Sequence, residues 1–240
     1  MQLLLFQIVA PIGAFGSLAV GERRETAARP AYSALAGLLA AALGMERADP
    51  CQQAFAAGLA FASRRDRLGP LLADYHTAQT PPAKKGKTWA TRRDELAGEV
   101  NTILSRRDYR TDCAFTVACA AIASGPHSLE DMEAALRRPL FTLYLGRKSC
   151  PLGLPPDPRI IEAGSLRDAF TAYDTERRRP AVFEDWKLGD GEIACDARLR
   201  PLAEGAARRE TRRDVVVDRK IWRFDLRDEF VLSASPEAAP

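Results

Sequence analysis

A chain of 240 residues can build one large domain or two small ones around a sizeable core. Its composition, 46% hydrophobic and 28% charged, is globular, and a formal net charge of only +3 excludes a polycation that binds by bulk charge. Five cysteines without a C-x-x-C pair, and two histidines without a ligand-spaced neighbour, leave no readable zinc site and point to reduced, free thiols in the cytoplasm.

Residues 2–9 are almost continuously apolar, as in a central strand covered on both faces. A signal-peptide reading fails because no basic segment precedes them and Gln2, Gln7 and Pro11 interrupt the run. Pro11, Gly13 and Gly16 predict a loop over 10–16, followed by a polar, basic stretch carrying Arg23, Arg24 and Arg29. Ser33 is placed to cap a helix whose one apolar face is Leu35, Leu38, Leu39, Ala42 and Leu43, and Gly44 ends it. The apolar run 34–45 is too short to span a bilayer. Asp49, Pro50 and Gln52 announce a second short helix that Gly58 stops.

A strand is expected over 59–64 and an extended segment over 71–77. Residues 78–98 lack core periodicity and read as an excursion from the domain. Return strand 103–110 and a second central strand, 113–122, follow. Ser128 and Asp131 open a helix lined by Leu129, Met132 and Leu136; Arg137 and Arg138 sit at its C-terminal end, and Pro139 blocks continuation. A fourth strand is expected over 140–145.

The order strand, helix, strand, strand, helix, strand predicts an α+β, ferredoxin-like domain over 1–152. RNA-recognition modules share that order with many proteins that bind no RNA. Beyond it, Pro155-Pro156-Asp157-Pro158 reads as a linker and Ser165 caps a short helix. Candidate strands at 181–186, 192–199, 215–218 and 222–232 suggest a small antiparallel C-terminal domain over 153–232. A disordered tail is expected over 233–240.

The chemistry concentrates at Leu143-Tyr144-Leu145-Gly146-Arg147-Lys148-Ser149-Cys150-Pro151. Gly146 permits a close backbone approach, and Arg147, Lys148 and Ser149 stand beside it, a set that suits phosphate. The competing reading is a solvated turn with two surface cations. Elsewhere the cations cluster as arginine pairs, among them Arg23-Arg24 and Arg106-Arg107. Lys84, Lys85, Lys87, Trp89 and Arg92 mix charge with a large aromatic, as a segment that straddles a nucleic-acid strand does; a flexible solvated loop has the same composition. Gly86-Lys87-Thr88 mimics the end of a phosphate-binding loop, but Pro81 stands where the first glycine belongs and no strand or helix flanks it. Tyr75-His76 offers two proton-active side chains, with a base-stacking pair as the non-catalytic reading and metal-independent RNA cleavage as the catalytic one.

Taken together, Asp74-Tyr75-His76-Thr77, the run Leu145 to Leu152 and the segment from Pro30 through Ser33 to Gly44 give the chain its resemblance. It resembles the CasD family of subunits of Cascade, the type I-E CRISPR RNA-guided complex, within the RAMP superfamily. The match covers 1–152 and returns near the end at Arg219 and Arg227-Asp228-Glu229-Phe230-Val231. It implies a ferredoxin-like RAMP domain with an inserted thumb (78–110) and a non-catalytic, cytoplasmic role without cofactor or metal. The expected ligand is the 5′ handle of the CRISPR RNA, held by Arg24, Arg29, Ser33, Tyr75, His76, Thr77, Lys84, Lys85, Lys87, Trp89, Arg147, Lys148 and Ser149. The implied partners are the backbone and large subunits of Cascade, with target DNA engaged indirectly and no membrane. A sister subfamily cuts RNA with tyrosine, lysine and histidine, which keeps metal-independent endoribonuclease as the alternative.

Overall fold

A computed structural model describes every residue except 17, 18, 20, 48, 84, 85, 87, 124, 178–190, 206, 219, 220, 222 and 233–240. The expected strand 181–186, the tail and Arg219 therefore lie outside the described residues. Strands β1 (Gln2–Gly13), β3 (Leu59–Arg67), β5 (Asn101–Ala121) and β6 (Arg159–Glu162) stand side by side in the order β6-β1-β5-β3, all neighbours antiparallel. Helices α1 (Tyr32–Ala42) and α2 (Cys51–Ala57) link β1 to β3, and α4 (Leu129–Arg137) lies between β5 and β6. Three further elements, β2 (Arg23–Arg24), β4 (Leu71–Thr80) and α3 (Arg92–Glu95), complete the N-terminal part.

The continuous apolar pattern of β1 arises because the sheet is covered twice. Leu4, Phe6 and Ile8 enter the core beneath α1, α2 and α4, while Leu3 and Leu5 enter a second core beneath α5 (Leu166–Glu176). The two faces differ in size. Phe61, Phe115 and Val117 fill the first, whereas Ala60, Ala62, Ala118 and Ala120 leave the second flat enough for Phe170 and Tyr173 of α5 to lie close.

Several expectations are corrected. The loop placed at 10–16 begins later, because β1 keeps its ladder with β5 as far as Gly13 opposite Arg110. Segments 103–110 and 113–122 are one long strand, β5, with Asp112 at φ +44° inside it. Residues 140–145 form no strand; the fourth place beside β1 belongs to β6. Pro155–Pro158 is no free linker. It lies along the edge of β1, where Gln7 donates from its N–H to the Pro156 carbonyl (2.8 Å) and from its side chain to the Pro155 carbonyl (3.0 Å). Prolines suit that edge because they accept hydrogen bonds without needing to donate any.

The C-terminal residues do not build a separate sheet. β7 (Ile193–Asp196) pairs with β3, and β9 (Arg223–Leu232) and β8 (Ala207–Asp218) extend the same sheet outward. The open edges of β1 and β3 expose backbone groups that need partners, and the later strands supply them. Ser128 and Asp131 do form the expected reciprocal cap of α4. Ser33, by contrast, lies inside α1. That helix starts after Ala31 without a local cap, and the Tyr32 N–H donates instead to Asp214 Oδ2 on β8 (2.9 Å).

Beside this junction Arg198 grips Asp196 through Nε to Oδ1 (2.8 Å) and Nη2 to Oδ2 (2.9 Å). Burial pushes the Asp196 carboxyl up, but the hydrogen bonds and charge of Arg198 outweigh it and hold the group below its ordinary 3.8. A depressed carboxylate stabilises the fold fully above its unfolded value, and that contribution is lost as pH falls through the folded value. The thermal midpoint should therefore drop below about pH 4, and Asp196→Asn should flatten that part of the profile. Melting both proteins across an acid pH series checks this; parallel profiles would assign the acid sensitivity to other carboxylates.

Candidate nucleic-acid interface

Tyr144 and Pro151 pair as an isolated bridge. Between them the Leu145 N–H donates to the Cys150 carbonyl (2.8 Å) and the Cys150 N–H to the Arg147 carbonyl (2.8 Å). The basic stretch is thus a closed turn rather than a strand running into a loop. Gly146 sits at φ +80°, and a Cβ there would stand 1.7 Å from the Ala14 carbonyl oxygen. The close approach that this glycine permits is to the chain's own exit from β1, not to an external phosphate. Cys150 is buried, and burial pushes its thiol up, as it pushes Cys113 up to about 12. Neither is a nucleophile at neutral pH.

Arg147 is half-buried and already engaged. It stacks over the Tyr109 ring, 4.5 Å from the centroid, and donates to the carbonyls of Asp108 and Arg24, each at 3.1 Å. Lys148 and Ser149 are exposed beside it.

Next to this turn, β4 runs antiparallel to residues 101–110 of β5, beyond the reach of β3, and forms an exposed arm. On the other flank of β5, β2 lies parallel, with Arg23 opposite Arg106 and Arg24 opposite Arg107. Directly opposed residues share a face and successive residues alternate. The register therefore places Tyr75, Arg106 and Arg23 in a row on one face, and Asp74, Arg107 and Arg24 on the other. Thr77 follows Tyr75 on the first face, opposite Leu104. His76 shares the second face with Asp74, whose Oδ2 is 2.6 Å from His76 Nε2. Tyr75 and His76, adjacent in sequence, point to opposite sides of the arm.

Not all of the expected residues gather here. The Arg29 guanidinium is held by Glu229 (2.7 Å) and Glu210 at the junction with β8 and β9, and Ser33 stays in the first turn of α1. Trp89 is half-buried in the link between β4 and β5, while Lys84, Lys85 and Lys87 lie outside the described residues. Sequence reasoning passed over Arg23, Arg106 and Arg107 as site residues. The signal was there as two arginine doublets; what no doublet reveals is that two of them lie side by side.

A mixed α/β chain with this large antiparallel sheet fits a class of CRISPR-associated proteins. Residues 3–228 match the family model described as CRISPR-associated protein (Cas_Cas5), and the chain belongs to that family. Among its relatives, the CRISPR system Cascade subunit CasD of Escherichia coli (strain K12) is 32% identical over 174 residues, which is 71% of this chain and 76% of that protein. A solved CRISPR RNA-guided surveillance complex contains a chain with TM-score 0.62 and 26% identity, covering 97% of this chain and 90% of its own. A second solved structure, described as a Cas protein, aligns with TM-score 0.58 and 25% identity over 99% of this chain and 97% of its own.

Proposed function

We propose that the chain is a CRISPR RNA-binding subunit of a Cascade surveillance complex that grips the 5′ handle of the guide without cutting it. Placed at the end of the backbone filament, it contacts the backbone and large subunits. The strand order β6-β1-β5-β3 with its helical connections supports a ferredoxin-like core, and the β4–β5 arm supports the thumb. The observation that carries the reading is the row of Tyr75, Arg106 and Arg23: an aromatic face for a base next to cations for the backbone.

Lys148→Ala should weaken binding of repeat-derived single-stranded RNA and lower the slope of log affinity against log salt by about 0.7. Filter binding or anisotropy across a salt series measures both; an unaltered slope would remove this turn from the interface.

The second reading, metal-independent endoribonuclease, draws on the His76–Asp74 pair, since a carboxylate can orient an imidazole as a base. The opposite facing of Tyr75 and His76 weighs against both acting at one phosphodiester. Incubating the chain with repeat RNA in EDTA decides the matter. Intact RNA is expected, whereas discrete products that vanish in His76→Ala would establish cleavage.

A further inference from the structure

Resting on the RNA-binding reading, we infer that Arg106, and not Arg147, makes the phosphate contact at the base of the arm, and that Arg147 is a positioning residue. The partners of each cation lead there. Two of Arg147's N–H donors already serve main-chain carbonyls, and its planar face lies on Tyr109. Those two carbonyls belong to different strands, Asp108 on β5 and Arg24 on β2. One guanidinium therefore ties the 146–149 turn to the two strands that carry the arginine doublets. Lysine cannot do this, because it lacks both the fork of divergent donors and the flat stacking face.

The neighbouring cations are unequally free. Arg23 reaches Asp108 Oδ2 with Nε (3.0 Å) and Nη2 (2.9 Å). Arg24 turns back to the Gly21 carbonyl at 2.5 Å, and Arg107 Nε faces Ser105 Oγ at 3.4 Å. Arg106 is exposed and, among the described residues, its guanidinium has no carboxylate partner; its main-chain N–H donates to the Glu22 carbonyl at 3.0 Å as part of the ladder with β2. It also shares its face with Tyr75, so a nucleotide stacked on that ring has its phosphate beside this guanidinium.

The test uses the full chain with a single-stranded RNA of the repeat-derived 5′ sequence. Two measurements are made: amide hydrogen exchange without RNA, and binding across a salt series. Arg106→Ala should leave exchange unchanged and lower the salt slope by about 0.7. Arg147→Ala and Arg147→Lys should both speed exchange at the amides of Arg106 and Ala14, which bond to Glu22 and Leu145, and both should weaken RNA binding. The amides of β1 opposite β5 serve as the internal measure of global folding, and Arg147→Lys keeps the question open to decision if Arg147→Ala fails to fold. Restoration of binding by lysine at 147, or normal exchange in both variants, would overturn the inference, as would an unchanged slope in Arg106→Ala. Failure of the unmutated chain to bind this RNA would sink the RNA-binding reading instead, while the exchange data would still report whether Arg147 holds the turn.

Discussion

Gly146→Ala should lower the unfolding free energy by more than about 4 kcal/mol, or prevent folding altogether. Two separate costs combine. At φ +80° an L-residue meets its own backbone, a penalty of about 1–2 kcal/mol. A Cβ would also stand 1.7 Å from the Ala14 carbonyl oxygen, and neither side can give way easily. The Ala14 N–H donates to the Leu145 carbonyl (3.1 Å), so the same contact is fastened from the other direction. Gly205→Ala separates the two costs: Gly205 has φ +88° and open space around its Cα. Its substitution should cost only the backbone part, about 1–2 kcal/mol. Urea midpoints of the two variants make the comparison, and equal losses would show that crowding against Ala14 contributes nothing.

A second large effect is expected from Asp66→Asn, at about 3–5 kcal/mol of stability. Asp66 is the extra residue where the β3 ladder shifts between Arg65 and Arg67, and its side chain is 1% exposed. Its Oδ1 accepts from Arg64 Nε (2.6 Å), and its Oδ2 accepts from the Thr116 hydroxyl (2.5 Å). Asp174 of α5 accepts from both terminal nitrogens of Arg64 (2.7 and 2.8 Å) and lies 3.1 Å from Arg177. Two guanidiniums and two carboxylates thus balance beneath α5, with Thr116 donating to Asp66 and accepting from both arginines. An amide at 66 leaves two buried cations facing one anion, and an uncompensated buried charge is far costlier than a missing surface pair. Arg209→Ala, which breaks an exposed pair with Asp228, should leave the midpoint unchanged. Comparable shifts in the two variants would mean that water or side-chain rearrangement relieves the buried site.

Much of the inner architecture was legible from residue pattern. The apolar runs marked β1, β3 and the inner half of β5, because strands buried on two faces leave no polar alternation. Ser128 and Asp131 announced α4, since that cap is made within four consecutive residues. The cap of α1 was not legible: it comes from Asp214, 182 positions away from Tyr32. Nor was the merging of two predicted segments into β5, whose outer half is held by β2 and β4 rather than by a core.

By itself, the sequence determined the elements whose causes are local or periodic, and it located the basic turn and the arginine doublets. Tertiary structure alone decided what those cations do. It turned Arg29 toward Glu229 and Glu210, bound Arg147 to Tyr109 and two carbonyls, and left Arg106 open beside Tyr75. The reason is that a guanidinium's type fixes what it can bind, whereas its availability depends on the acceptors within a few ångströms, and most of those come from distant parts of the chain.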